Sequence, residues 1–269
     1  MASRRFDELT DPEIAAALAR SPRVILPMGS IEQHGPHLPT GTDFFAATSI
    51  ALAVAEHTDA LVLPLCPLGV TPMHMPYPGT VSLRPQTLQD VIWDIGSSLV
   101  SHGCRELVIL NWHEGNIPSL ALAAERLHRS LGLAVVTVQA CYVAEERFGP
   151  SAGGLTHGGK IEAWSVLSCR PDLVHLDRAA GSGDRLRGEL ADRIRRDRSF
   201  QPVLTDVRTM SATGWYGDPS GATEEQARSF VASLSAEIAA RLNGVFDALA
   251  TVQPGSAAAG AGAAYEGPA

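Results

Sequence analysis

Short runs of branched apolar residues alternate along this chain with longer stretches whose apolar positions recur at helical spacing. Residues 23–27 (RVILP), 61–65 (LVLPL), 106–111 (ELVILN) and 133–139 (LAVVTVQ) are too short for buried helices and read as strands. Between them, 44–57 follows Thr42 and Asp43 as candidate caps, 87–102 ends at Gly103 and 119–131 ends at Gly132. Start and stop signals thus sit where helices need them. This rhythm predicts an α/β fold, a three-layer α/β/α sandwich on a mainly parallel central sheet, with loops and ligands gathered at the carboxyl edge of the strands. Past Gly159 the pattern turns helical, over 160–168, 185–196 and about 224–250. No second core is evident, so 1–252 reads as one domain and 253–269, rich in Ala and Gly, as a flexible tail.

Composition narrows the partners. A net charge of −8 and a pI near 5.6 disfavour phosphate backbones, so nucleic acid is not expected as a partner. The apolar run at 60–70 falls short of the ~18 residues that a membrane helix needs, and the first nine residues carry arginines and acids where an export signal would be apolar. The expectation is a cytoplasmic protein with no membrane partner. Cys66, Cys104, Cys141 and Cys169 form no CxxC pair, signal neither zinc ribbon nor disulfide framework, and read as small buried hydrophobes.

Three clusters carry chemistry. After the first strand come Glu32 and His34, which an extended backbone points the same way, and Asp43 can return to meet them. Such a mixed N/O set suits Zn²⁺, Mn²⁺ or Fe²⁺; the bland alternative is a polar turn with a helix cap at Asp43. The third strand runs directly into Asn111, Trp112, His113, Glu114, Gly115 and Asn116, where His113 either completes a metal set or bonds a loop carbonyl. A third segment, His157-Gly158-Gly159-Lys160-Ile161-Glu162, offers His157 as a general acid and Glu162 as either a ligand or a first-turn acid. Together they argue for a metal-assisted hydrolase. His37 beside the first cluster reads as an orienting group, and the loop holding His74 and Tyr77 either walls the pocket, with Tyr77 on substrate, or simply packs. His57, His102, His128 and His175 carry no expected role.

The block from Gly29 to Pro39 (GSIEQHGPHLP), followed by Thr42 and Asp43, resembles the creatininase family, which includes mycofactocin-system members. Pro78 to Leu83 (PGTVSL), the loop at His113 and the segment at His157 are also similar to that family, with a weaker echo at 217–223. The resemblance implies a creatininase-like α/β/α fold, a centre of two divalent ions (Zn, Mn or Fe), and an assembly often hexameric. It also implies amidohydrolase chemistry on a non-peptide C–N bond of a small molecule such as a cyclic amide or formamide. Carried over residue by residue, Glu32, His34, Asp43 and His113 are ligands, with Asp43 the bridge. Glu162 fits the fifth place; creatininase itself has a Glu two residues after its His, where this chain has Gly115.

The departures surround the pocket. Trp112, Glu114 and Trp164 replace smaller residues, which makes both tryptophans candidate substrate contacts. Glu114 is a surrogate ligand, a general base or a salt-bridge partner of Lys160, and Lys160 alternatively holds a substrate carboxylate. Two rivals remain beside hydrolysis: amide formation at the same site, and a scaffold whose pocket is filled. A dinucleotide enzyme would need GxGxxG after the first strand, and it is absent.

Overall fold

The structure, a computed structural model, describes residues 3–64, 67–179, 185–197, 199–200 and 202–252. The expected tail therefore lies outside the described residues, as does Cys66. Strands β1 (Arg23–Met28), β2 (Leu61–Val62), β3 (Glu106–Asn111) and β4 (Ala134–Gln139) form one parallel sheet in the order β2-β1-β3-β4. The period of two sorts its side chains. Val24, Leu26, Met28, Leu107 and Ile109 enter one core with α1 (Asp11–Arg20), α3 (Pro85–Ser101) and α4 (Ile117–Leu131). Ile25, Val108 and Leu110 enter the other, beneath α2 (Thr42–Thr58), α5 (Ala140–Ala152), α6 (Lys160–Leu167) and the long α8 (Glu224–Val252). The sandwich is thus the expected one, and α7 (Arg185–Arg195) is peripheral to it.

Several boundaries differ for local reasons. Among the described residues the second strand pairs with β1 over Leu61–Val62, and after the Leu63 N–H bond to the Ile25 carbonyl (3.0 Å) Pro64 has no N–H to continue the ladder. Thr42 and Asp43 are the first residues of α2 rather than caps, Gly41 standing at the N-cap, so the Asp43 carboxylate is not spent on backbone. Helix α1 went unpredicted despite a capping box between Thr10 and Glu13. Helix α5 had no cap signal to read and holds Pro150 near its end. Cys104 and Cys141 are buried as expected, whereas Cys169 is exposed, just beyond α6.

Chain order reverses beside β1, whose neighbours β2 and β3 are reached through α2 and α3 on opposite faces. That places a crevice at the carboxyl ends of β1 and β3. Asn116 ties the loops leaving these strands together: its Nδ2 donates to the Gly29 carbonyl (2.9 Å) and to Asn111 Oδ1 (3.2 Å), and its Oδ1 accepts from Val70 N–H (2.8 Å). Gly69 must lack a side chain for this, since a Cβ there would lie 2.5 Å from the Gly29 carbonyl oxygen and 2.7 Å from Asn116 Oδ1. Asn116→Ala would strand buried partners at about 1–3 kcal/mol each. Urea unfolding is expected to show a loss of about 2–5 kcal/mol; a loss near zero would mean that the loops hold their positions without it.

Candidate metal centre

Five side chains from four elements converge in the crevice. The chain leaving β1 is extended through Glu32, whose N–H donates to the Thr40 carbonyl (2.9 Å), and so presents Glu32 and His34 to one side. Helix α2 brings Asp43, the exit of β3 brings His113, and the first turn of α6 brings Glu162. Their donor atoms form two sets that share Asp43, one with Glu32 and His113 and one with His34 and Glu162, and Glu32 and His34 also converge with His157 in a third. Asp43 faces both ways, with Oδ1 3.3 Å from His34 Nε2 and Oδ2 3.1 Å from His113 Nδ1.

Each imidazole is tethered by its far nitrogen. His34 Nδ1–H donates to the Glu32 carbonyl (3.1 Å) and His113 Nε2–H to the Val70 carbonyl (3.1 Å), since a carbonyl only accepts. In the neutral rings the nitrogens facing the carboxylates are therefore lone pairs. His34 Nε2 has no hydrogen-bond partner although fully buried, with Asp43 and Glu162 oxygens at 3.3 and 3.7 Å. A bare nitrogen enclosed by carboxylate oxygens calls for a positive charge between them, and this donor set fits divalent ions. Gly115 makes the His113 tether possible: a Cβ there would come within 2.4 Å of the Val70 oxygen and 2.5 Å of His113 Nε2.

Three carboxylates only 3%, 2% and 7% exposed, Glu32, Asp43 and Glu162, demand compensation. Ser30 Oγ donates to Asp43 (2.6 Å), Thr71 Oγ1 to Glu32, and Gly158 N–H to Glu162 (2.6 Å). Glu162 thus serves both as first-turn acid and as member of the cluster. Protons supply the remaining charge. Burial opposes charging His34, but Glu162, Asp43 and Glu32 overcome it and hold the ring up to about 10; His113, likewise buried, is held up to about 9 by Glu32 and Asp43. Burial would raise Asp43, yet the two imidazoles keep it well below the usual carboxylate range. Glu162 is pushed up, by burial first.

The centre opens into a cavity of about 560 Å³ lined by Trp112, His74, His157, Met73, Leu204 and Met210 among others. His157 and His74 flank Glu32 Oε1 with nitrogens at 3.8 and 3.7 Å. Burial drives both down, His74 to about 3, with His113 and His34 adding to the effect there and His34 and His74 at His157. His37 acts as an orienting group would: its Nε2–H donates to the Gly158 carbonyl (2.8 Å), the same peptide segment whose N–H holds Glu162.

Three expected contacts fall outside the cavity, and a fourth residue lines it in an ion pair. Glu114 lines the cavity but is ion-paired with Arg195 and Arg196, which overcome its burial and hold it below the usual range, and it belongs to none of the metal-donor sets. Lys160 lies outside the lining, among the groups that lower Asp218 after Ser220 and Arg185. Trp164 turns into the core against Phe230 (5.7 Å) and gives its Nε1–H to Gln226. Tyr77 spends its hydroxyl on the Ala212 carbonyl (2.7 Å) and does not line the cavity. Trp112 does line it, edge-on to Phe230, with Nε1 buried and unpartnered. The outer wall, including Arg195, Arg196, Leu204, Val207 and Met210, was missed, and only the echo at 217–223 hinted at it. Tyr216 and Gly217 donate from there to the His157 carbonyl (3.1 and 2.9 Å).

A parallel α/β/α sandwich with a carboxylate bridging two donor sets at its carboxyl edge defines an α/β protein with a candidate dinuclear centre. Comparison with known proteins makes this particular. The profile described as "Creatininase: Creatinine amidohydrolase" matches residues 7–242, and the chain belongs to the creatininase family of hydrolases. It is 30% identical to a mycofactocin precursor peptide peptidase of Mycobacterium ulcerans, over 82% of this chain and 84% of that protein. It is 32% identical to the creatinine amidohydrolase of Pseudomonas putida, over 64% and 74% respectively. Solved creatininases, one a manganese form and one a zinc–zinc form, superpose with a TM-score of 0.71 at 26% identity, over 94% of this chain and 100% of theirs.

The chelated chain binds the protons of His34 and His113 more tightly than an unfolded chain does, whose ordinary value is 6.5. Their stabilisation is complete below pH 6.5 and lost as pH rises through about 9 to 10. Melting temperature followed by circular dichroism is expected to fall across that window in chelated protein and much less with added zinc. Parallel profiles would contradict the charge assignment.

Proposed function

We propose that this protein is a metal-dependent amidohydrolase that cleaves an amide C–N bond. The observation carrying the reading is the convergence of two tethered imidazoles, each with a bare nitrogen, on opposite oxygens of Asp43. Two divalent ions held by Glu32, Asp43 and His113 and by His34, Asp43 and Glu162 would polarise the substrate carbonyl and acidify a water.

The chain's own residues supply the rest. His157 donates Nε2–H to the Gln33 carbonyl (2.6 Å), which leaves Nδ1 bare toward the cavity. It takes a proton from the attacking water and returns it to the leaving nitrogen as the C–N bond breaks, completing the acid role expected from sequence. Trp112 offers an unpartnered N–H in the wall. Burial of the two cores on one sheet supports reading 1–252 as a single domain.

A second reading concerns the bond. A 560 Å³ cavity with Met73, Leu204, Val207 and Met210 at its wall is large for a small cyclic amide, and it suits the end of a short apolar peptide. The relative named as a precursor peptide peptidase supports that choice. Among the described residues no helix is long and apolar enough to cross a membrane.

Protein purified without chelator is expected to hold about two ions of zinc, manganese or iron per chain by mass spectrometry, and His113→Ala to lose them. Glu162→Gln should cut turnover by at least about 100-fold. Creatinine, N-formyl amines and N-acetyl dipeptides of apolar residues form the panel. Full metal and activity in His113→Ala would refute the assignment, and a chain that refuses all three metals would favour a scaffold.

A further inference from the structure

His74 and His157 stand side by side against Glu32, ring centroids 4.5 Å apart, and both reach Gln33. The Gln33 carboxamide is clamped in one orientation by backbone. Its Oε1 accepts from Gly35 N–H (3.1 Å) and its Nε2 donates to the Gly214 carbonyl (2.6 Å), so the end facing the histidines is the NH₂. Gly214, at φ +81°, leaves room for it; a Cβ there would lie 2.8 Å from the carboxamide carbon and nitrogen.

One N–H of Gln33 serves Gly214; two imidazole nitrogens, His74 Nδ1 and His157 Nε2, each lie 3.0 Å from Nε2, and because His157 Nε2 donates to the Gln33 carbonyl (2.6 Å), the second N–H goes to His74 Nδ1, which accepts it. A neutral His74 therefore carries its hydrogen on Nε2, the atom turned toward Glu32 and the cavity. His157 takes the opposite sense. Its Nε2 lies 2.6 Å from the Gln33 carbonyl and donates there, which bares Nδ1 on the cavity side. One glutamine, through its side chain and its main chain, thus turns two neighbouring, mutually tilted imidazoles into an adjacent donor and acceptor. At 3.7 Å from Glu32 Oε1 the His74 N–H is not spent on that carboxylate.

We propose that His74 is the hydrogen-bond donor to the carbonyl oxygen of the bound substrate, and that Gln33 is the positioning residue that keeps the hydrogen on its Nε2. This rests on the amidohydrolase reading above. It assigns His74 a catalytic role beyond loop packing, complementary to that of His157. Removal of one such donor typically costs about 100- to 1,000-fold in turnover.

The test uses the full chain loaded with zinc, and acetohydroxamate as a carbonyl-bearing probe. In two-bond ¹H–¹⁵N spectra His74 is expected to show a protonated Nε2 and a bare Nδ1, and Gln33→Glu, whose carboxylate accepts where the amide donated, to move the hydrogen to Nδ1. By calorimetry His74→Phe should bind the probe about tenfold more weakly with zinc content unchanged, and His74→Gln, which keeps an N–H near the same point, should recover most of it. A wild-type His74 protonated on Nδ1, or His74→Phe binding as tightly as wild type, overturns the proposal. A wild-type chain that holds no zinc defeats the amidohydrolase reading instead, before any variant is compared.

Discussion

Three carboxylates, the unpartnered Nε2 of His34 and the Nδ1 of His113 are packed into one buried volume at the end of a parallel sheet, and the charge of ionised carboxylates there demands compensation. That compensation is positive charge beside Asp43, as protons on His34 and His113 or as cations, together with the burial that pushes Glu162 toward its protonated form. The surrounding structure reads as the means of holding these like-charged groups together. Ser30, Thr71 and the Gly158 amide each spend a donor on one carboxylate, and the Glu32 and Val70 carbonyls each fix one ring.

The sheet supplies the geometry and the loop clamps its precision. Reversal of chain order beside β1 opens the crevice, but Glu32 and His113 leave different strands, and Asn116 ties those exits to each other and to Val70. Gly69 and Gly115 are glycine because a methyl group at either would strike the atoms that make these ties. The outer wall is built by another logic. Glu114, one residue past His113, is held by Arg195 and Arg196, so the peripheral helix α7 is anchored to the same loop that presents a donor to the centre. The wall and the centre are thereby mechanically joined.

Local patterns carried most of this information. Branched runs and glycine stops revealed the alternating strands and helices, and the extended Glu32-x-His34 pair with Asp43 following was readable because strand geometry dictates which side chains share a side. That Glu114 is held in ion pairs was not legible locally: it depends on Arg195 and Arg196, far along the chain. Trp164, Lys160 and Tyr77 were misplaced for the same reason, since their partners Gln226, Asp218 and Ala212 lie roughly 60 to 135 residues away. The tethers through backbone carbonyls leave no trace in residue identity. Nor did the sequence show that the segment around Leu204 and Met210, which lacks a strong periodic pattern, forms the wall of the cavity.

The central claim is that Asp43 bridges two cation positions, one shared with Glu32 and His113 and the other with His34 and Glu162. Anomalous diffraction at the zinc edge from crystals grown with zinc tests it directly. The account predicts two peaks about 3.5–4 Å apart on either side of the Asp43 carboxylate. A single peak, or one coordinated by Glu114 in place of Glu162, would contradict it.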